Sequence, residues 1–160
     1  MLLAMAPADE VSISQFREHS GPLFTEVVQR HTQRLIRRGR HDRGLLIGLD
    51  EVWGLLVDRT FAPQVMRGDD GVAIWLPEFE LHGQGDTYAQ AKNDLLAEVR
   101  VYVSEYLANA DEYLRAPNRA GHFGHVLKAR LADLRGQLEQ VIFPGPTDLA
   151  TLKARLTASA

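Results

Sequence analysis

The chain has no cysteine, which removes disulfide frameworks and thiolate metal sites together, along with any requirement for an oxidising compartment. It also lacks long apolar runs. No segment approaches the roughly 18 apolar residues of a membrane span, and the opening MLLAMAPA is too short, and too poor in basic residues, for a secretory signal. The expected location is the cytoplasm. No internal repeat and no low-complexity stretch interrupts the sequence. Nor is there an excess of cations: the formal net charge is −3. Binding to nucleic acid through bulk positive charge is therefore excluded, and any such contact must come from a local patch.

What is present is 160 residues with 45% hydrophobic content, enough to bury the core of one ordinary domain or two small ones. The charge is unevenly spread. Residues 1–59 hold eight Arg against eight Asp or Glu, whereas residues 60–160 hold ten Lys or Arg against thirteen acids. The whole deficit lies in the C-terminal part. Residues 30–43, which include the stretch RLIRRGRHDR, carry six Arg and one Asp, so an acidic protein bears one basic ridge.

Hydrophobic periodicity divides the chain near residue 60. In the first part, after a short β start, Ser14 can cap a helix through QFREH and Ser20 a second, with Pro22 tolerated in its first turn and Leu23, Phe24, Val27 and Val28 on one face. RLIRR and GLLIGL read as two strands around a turn at Gly39, and Asp50 can cap a helix, DEVWGLLVDR. The second part begins with hairpin grammar, FAPQVMR and VAIWLPEF around GDDG, placing Val72, Ile74 and Leu76 on one face and Ala73 and Trp75 on the other. HGQGD reads as a glycine-rich bend. Asp86 or Thr87 then caps a long helix with Ala91, Leu95, Leu96, Val99, Tyr102, Val103 and Tyr106 inward. APNRAGHFG interrupts the pattern, and HVLKARLADLRGQLEQVIF resumes it with Val126, Leu127, Leu131, Leu134 and Leu138, apart from a short QVIF strand candidate. PGP at 144–146 begins a polar tail.

VSISQFREHSGPLFTEVVQ, RLIRRGR and GLLIGLDEVWGLL, over residues 11–57, resemble the Phd/YefM antitoxin family. The family's helix normally lacks a proline such as Pro22, and its last helix carries a tyrosine near Val52-Trp53. The resemblance implies a β-α-α-β-β-α module that forms a homodimer and binds its own operator. The family's DNA-contacting arginines fall here on Arg17, in the first helix, and Arg38, at the hairpin. Over residues 60–107, GVAIWLPEFELHGQGDTYAQAKNDLLAEVRVYVSEYL resembles the HicB antitoxin core, a partial RNase H-type sheet with a long helix that covers a toxin, commonly the small ribonuclease HicA. Together the two imply an α+β protein: a DNA-binding and dimerisation module at 1–59, then a toxin-binding domain at 60–160 with a helical C-terminal extension.

The site expectations follow. Guanidinium groups are planar donors suited to phosphate oxygens and to the acceptor pair of guanine. Arg17 and Arg38 are the candidates for base reading, and Arg34, Arg37, Arg40 and Arg43 for holding the DNA backbone. Strand alternation puts Arg34 and Ile36 on one face and Leu35 and Arg37 on the other, so only two or three arginines per protomer can face one groove. The toxin surface is expected at Trp75 and Phe79, rimmed by Glu78 and Glu80, an apolar patch with acidic edges suited to a ribonuclease's cationic active site. Neutralisation would be masking, without a cofactor.

Catalysis is not expected. Two-metal nuclease chemistry needs convergent carboxylates, one from a central strand, and VAIWL has none; Glu78, Glu80, Asp86, Asp94 and Glu98 fall at a bend, a cap and a helix. His122 and His125, with His82, lack a metal-binding motif. HGQGD lacks the strand-to-helix context of a nucleotide-binding loop. Two alternatives have different partners: a DNA-binding regulator whose C-terminal domain senses a ligand or protein, and an assembly module whose arginines serve oligomer contacts.

Overall fold

The computed structural model describes residues 10–145. The opening MLLAMAPA and the tail from Pro146 lie outside the described residues. The chain divides between Leu55 and Leu56 into two compact units, with Leu56–Arg59 in the second.

In the first unit, β1 (Glu10–Ser12) leads into α1 (Ile13–Arg30), β2 (Arg34–Arg38) and β3 (Asp42–Leu46) form a hairpin, and α2 (Leu49–Leu55) follows. β1 pairs parallel with β2, and β2 antiparallel with β3. The cap of α1 is Ser12, two residues before the expected Ser14. Its hydroxyl accepts from the Gln15 backbone N–H at 3.2 Å, and the Gln15 side-chain oxygen Oε1 accepts from the Ser12 N–H at 2.9 Å, a closed capping box. The two expected helices form one run bent at His19 (φ −123°, ψ 27°). Pro22 lies just beyond the bend. A proline ring crowds the carbonyl four residues back, and non-helical dihedrals at His19 relieve that clash. Asp50 lies in the first turn of α2, where its charge complements the helix dipole, and α2 ends at Leu55 instead of Arg59.

The second unit opens with a three-stranded antiparallel meander of β4 (Gln64–Gly68), β5 (Gly71–Leu76) and β6 (Leu81–Gly85), in that order. Asp69 and Asp70 make the tight loop between β4 and β5. HGQGD, expected to bend, supplies most of β6, with His82 opposite Trp75 and Gly83 opposite Ile74. Its glycines serve packing. A Cβ on Gly83 would stand 2.3 Å from the Ala91 carbonyl oxygen and 2.5 Å from the Leu95 Cβ, so only glycine lets α3 (Tyr88–Ala108) lie so close to the sheet. Thr87 caps α3 through a second capping box with Gln90. All seven residues expected on the inner face of α3 are buried.

Three helices follow: α4 (Ala110–Arg115), α5 (Phe123–Leu134) after a 3-10 turn at Ala120–His122, and α6 (Leu138–Ile142). The helix expected to run continuously through this region breaks at Gly136, whose φ of 67° only glycine adopts without strain. Leu134, expected inward, is therefore the last residue of α5 and is 60% exposed. QVIF lies largely in α6 and forms no strand. The core of this unit gathers Ile74, Leu76, Phe79, Leu95, Val99, Tyr106, Val126 and Ile142, each worth about 1.5–3 kcal/mol of burial for a large apolar side chain.

Candidate interaction surfaces

The β2–β3 register sorts the arginine ridge. Arg34, Ile36 and Arg38 stand opposite Leu46, Gly44 and Asp42, while Leu35 and Arg37 stand opposite Leu45 and Arg43. Because alternate residues of a strand face opposite ways, the basic residues split between two faces, as alternation requires. Half of them are neutralised locally. Arg34 bonds Glu26 at 2.6 Å with only 20% of its side chain exposed, and ties α1 to β2. Arg37 lies directly across from Arg43, a like-charge pairing offset by Glu10 of β1, which meets Arg37 Nε at 2.6 Å. The other end of the Arg37 guanidinium donates to the Gly39 carbonyl at 3.0 Å. Arg38 is exposed and directs Nε and Nη2 onto one oxygen of Asp42.

In the free protein Arg34 is a fold contact, bonded to Glu26. Arg37 is committed to Glu10 and the hairpin backbone. Arg17, Arg40 and Arg43 are exposed and make no ion pair among the described residues, so their guanidinium donors are open to an external anion. Arg30, at the last turn of α1, is likewise exposed; the charge run at 30–43 included it, but strand-based reasoning passed it over.

The first unit also exposes apolar side chains: Phe24 at 58%, Leu45 at 55%, Leu49 at 57% and Leu55 at 76%.

In the second unit the expected partner residues separate. Trp75 lies on the sheet face opposite Ile74 and Leu76, its ring 4.2 Å from that of His82 across the strands. Phe79 is wholly buried, packed against Phe61 at 5.6 Å and Tyr102 at 5.1 Å. It is a core residue in this structure and not the exposed aromatic expected, because the turn after Leu76 folds it inward. Glu78 accepts from the Ala62 N–H at 2.9 Å, which fixes the entry to β4. Glu80 is exposed in the left-handed conformation (φ 56°) and lies 3.8 Å from Arg119.

Around Phe79 lies a polar chain that the sequence did not announce. Arg119 donates to the Tyr102 phenol oxygen at 3.5 Å, and that phenol meets His122 Nδ1 at 2.6 Å. Burial, aided by the nearby Arg119 charge, lowers the His122 pKa, and burial raises that of Tyr102. Both groups are therefore neutral, the phenol donating to Nδ1. His125 meets the Thr60 carbonyl at 3.0 Å. The three histidines considered as ligands thus have three separate partners, and among the described residues no three His, Asp or Glu groups are placed to hold a metal ion. Asp94 accepts from the Gln84 N–H at 2.9 Å. No helix among the described residues is long and apolar enough to cross a membrane.

The sequence profile of the PHD_like family, described as "Antitoxin of toxin-antitoxin, RelE / RelB, TA system", matches residues 5–143. The chain belongs to this antitoxin family. One profile spans both units of the antitoxin, so the stretches resembling two families fall within a single one, and membership points to a regulatory, non-enzymatic role with a toxin as partner. The fold is similar to that of a solved structure from Syntrophomonas wolfei subsp. wolfei, described as the antitoxin part of a proposed toxin/antitoxin system. The TM-score is 0.72 at 20% identity, covering 82% of this chain and 94% of that one. No curated protein matches the sequence.

Proposed function

We propose that this antitoxin neutralises its toxin by direct, stoichiometric binding through the second unit, and that the first unit pairs with a second copy to bind and repress its own operator. The observation that carries the DNA half is the set of exposed arginines Arg17, Arg40 and Arg43, without an ion pair among the described residues, on an otherwise acidic chain. Arg38 joins them if DNA phosphate displaces Asp42, an exchange that an exposed pair permits at little cost. The Phd/YefM-like assignment of the first unit is supported by its β-α-β-β-α order with a bent helix, and the HicB-like assignment of the second by a three-stranded meander followed by a long helix. Exposed Phe24, Leu45, Leu49 and Leu55 favour a homodimer, since that much apolar surface on a small unit is ordinarily covered.

The toxin is read as a ribonuclease, of the RelE kind that the family's description names. The acidic balance of residues 60–160 suits a protein whose active site is cationic, as one that grips RNA must be. Trp75 and Glu80 remain the proposed contacts. Co-expression with the toxin of the same operon tests the first half, and a gel shift on the operon's upstream DNA the second. Growth arrest undiminished by this chain, or no shift at low salt, would overturn the corresponding half.

A further inference from the structure

The two edges of the β4-β5-β6 sheet differ. The Gln84 N–H points away from β5 and is taken by Asp94 of α3, so a carboxylate guards the β6 edge. That bond also fixes the parity of the whole sheet. If Gln84 faces outward, its partner Ala73 bonds instead to Met66 of β4, and the outward backbone groups of β4 belong to Val65 and Arg67. No described group bonds either of those N–H donors. All five β4 residues are exposed, Val65 at 45% and Met66 at 49%. An open edge of this kind is what folded proteins usually blunt with charge, proline or a covering element.

We propose that the β4 edge is where the toxin docks, by adding an extended, basic strand of its own beside Val65–Arg67. This rests on the reading that neutralisation is direct binding. Charge selects the occupant. Asp69 and Asp70 stand at one end of β4, and with Asp86, Gln84 and Met66 they line an open cleft of about 530 Å³. Arg67 is the one cation on the strand itself. A partner strand carrying Lys or Arg at the end beside Asp69 and Asp70, with apolar side chains beside Val65 and Met66, satisfies both the backbone and those carboxylates. The β3 edge of the first unit does not suit such a strand, because Arg43 lies on it and Arg40 beside it.

The test uses the full chain, free and in complex with the toxin encoded alongside it, compared by amide hydrogen exchange. The expected result is that the Val65 and Arg67 amides, open in the free antitoxin, slow at least tenfold in the complex. Val65→Pro removes an outward donor while leaving the β5 ladder intact, and should weaken toxin binding more than tenfold; Val65→Ala should weaken it less. Retention of the wild-type melting temperature shows that the proline variant folds. If the wild-type chain binds toxin but neither amide slows, the edge is not the docking site although direct binding stands. If wild type binds no toxin, the masking reading fails and takes the edge with it.

Discussion

Arg38 and Asp42 hold each other across the β2–β3 turn, with Nε at 2.9 Å and Nη2 at 2.7 Å from the same carboxylate oxygen. The arginine favoured for base reading is therefore occupied in the free protein. Both side chains are largely exposed, so the pair contributes little to stability. Asp42→Asn should leave the unfolding midpoint nearly unchanged and tighten operator binding by freeing Arg38, as read in a gel shift at fixed salt. Weaker binding by this variant would remove Arg38 from the DNA surface.

In the proposed DNA complex the exposed arginines Arg17, Arg40 and Arg43 set the salt response. If a dimer neutralises about five phosphates, log Kobs should fall with log salt at a slope of about −4.5. Arg40→Ala removes one such contact per protomer and should reduce the magnitude of the slope by about 1.8 per dimer. Arg34→Ala should leave the slope alone and lower stability instead, because that guanidinium serves Glu26. A wild-type slope near zero would mean that the ridge does not meet DNA.

Stability of the second unit depends on two small features of the β6–α3 segment. Gly83→Ala puts a methyl into the Ala91 backbone and should cost about 2 kcal/mol as an overpacking change. Thr87→Ala removes the α3 cap and should cost about 1 kcal/mol. Urea unfolding of the two variants checks both values.

The His122–Tyr102 contact gives a pH dependence of known sign. The folded-state pKa of His122 lies below the ordinary 6.5 because burial disfavours the imidazolium. The unfolded chain then binds more protons than the folded one between those two values. Stability contributed by neutral His122 is fully present above about pH 6.5 and is lost as pH falls through that value toward the lower folded pKa. Protonation also turns the Nδ1 acceptor into a donor and breaks the chain from Arg119. Thermal melts at pH 7.5 and 5.5 should show a drop in wild type that shrinks in His122→Asn. An equal drop in both proteins would place the acid sensitivity elsewhere.

Legibility followed the range of the interactions. The buried face of α3 was readable because seven apolar positions at helical spacing declare it locally, and the hairpins because strand and turn residues sit side by side. β6 was not. Its two glycines read as a bend, yet they are there so that α3 can approach, a reason that lies a dozen residues further along the chain. The break expected between QFREH and a Ser20 cap survives only as a bend at His19 inside one helix, since Pro22 disturbs the turn before it without ending the run. Phe79, next to acidic Glu78 and Glu80, looked like a surface aromatic; only the fold shows Phe61 and Tyr102 closing over it. The arginine ridge was visible as composition, but its division into bonded and free members depended on Glu10, Glu26 and Asp42, whose alignment follows from strand register.

Direct, stoichiometric masking is the claim on which the functional account turns, and titration of the operon's toxin with the full antitoxin tests it most directly. Toxin activity on RNA, followed together with native mass of the mixture, should fall linearly to zero at one fixed ratio, where a single complex species accounts for all the toxin. Undiminished activity at excess antitoxin, with both proteins running at their separate masses, would contradict it.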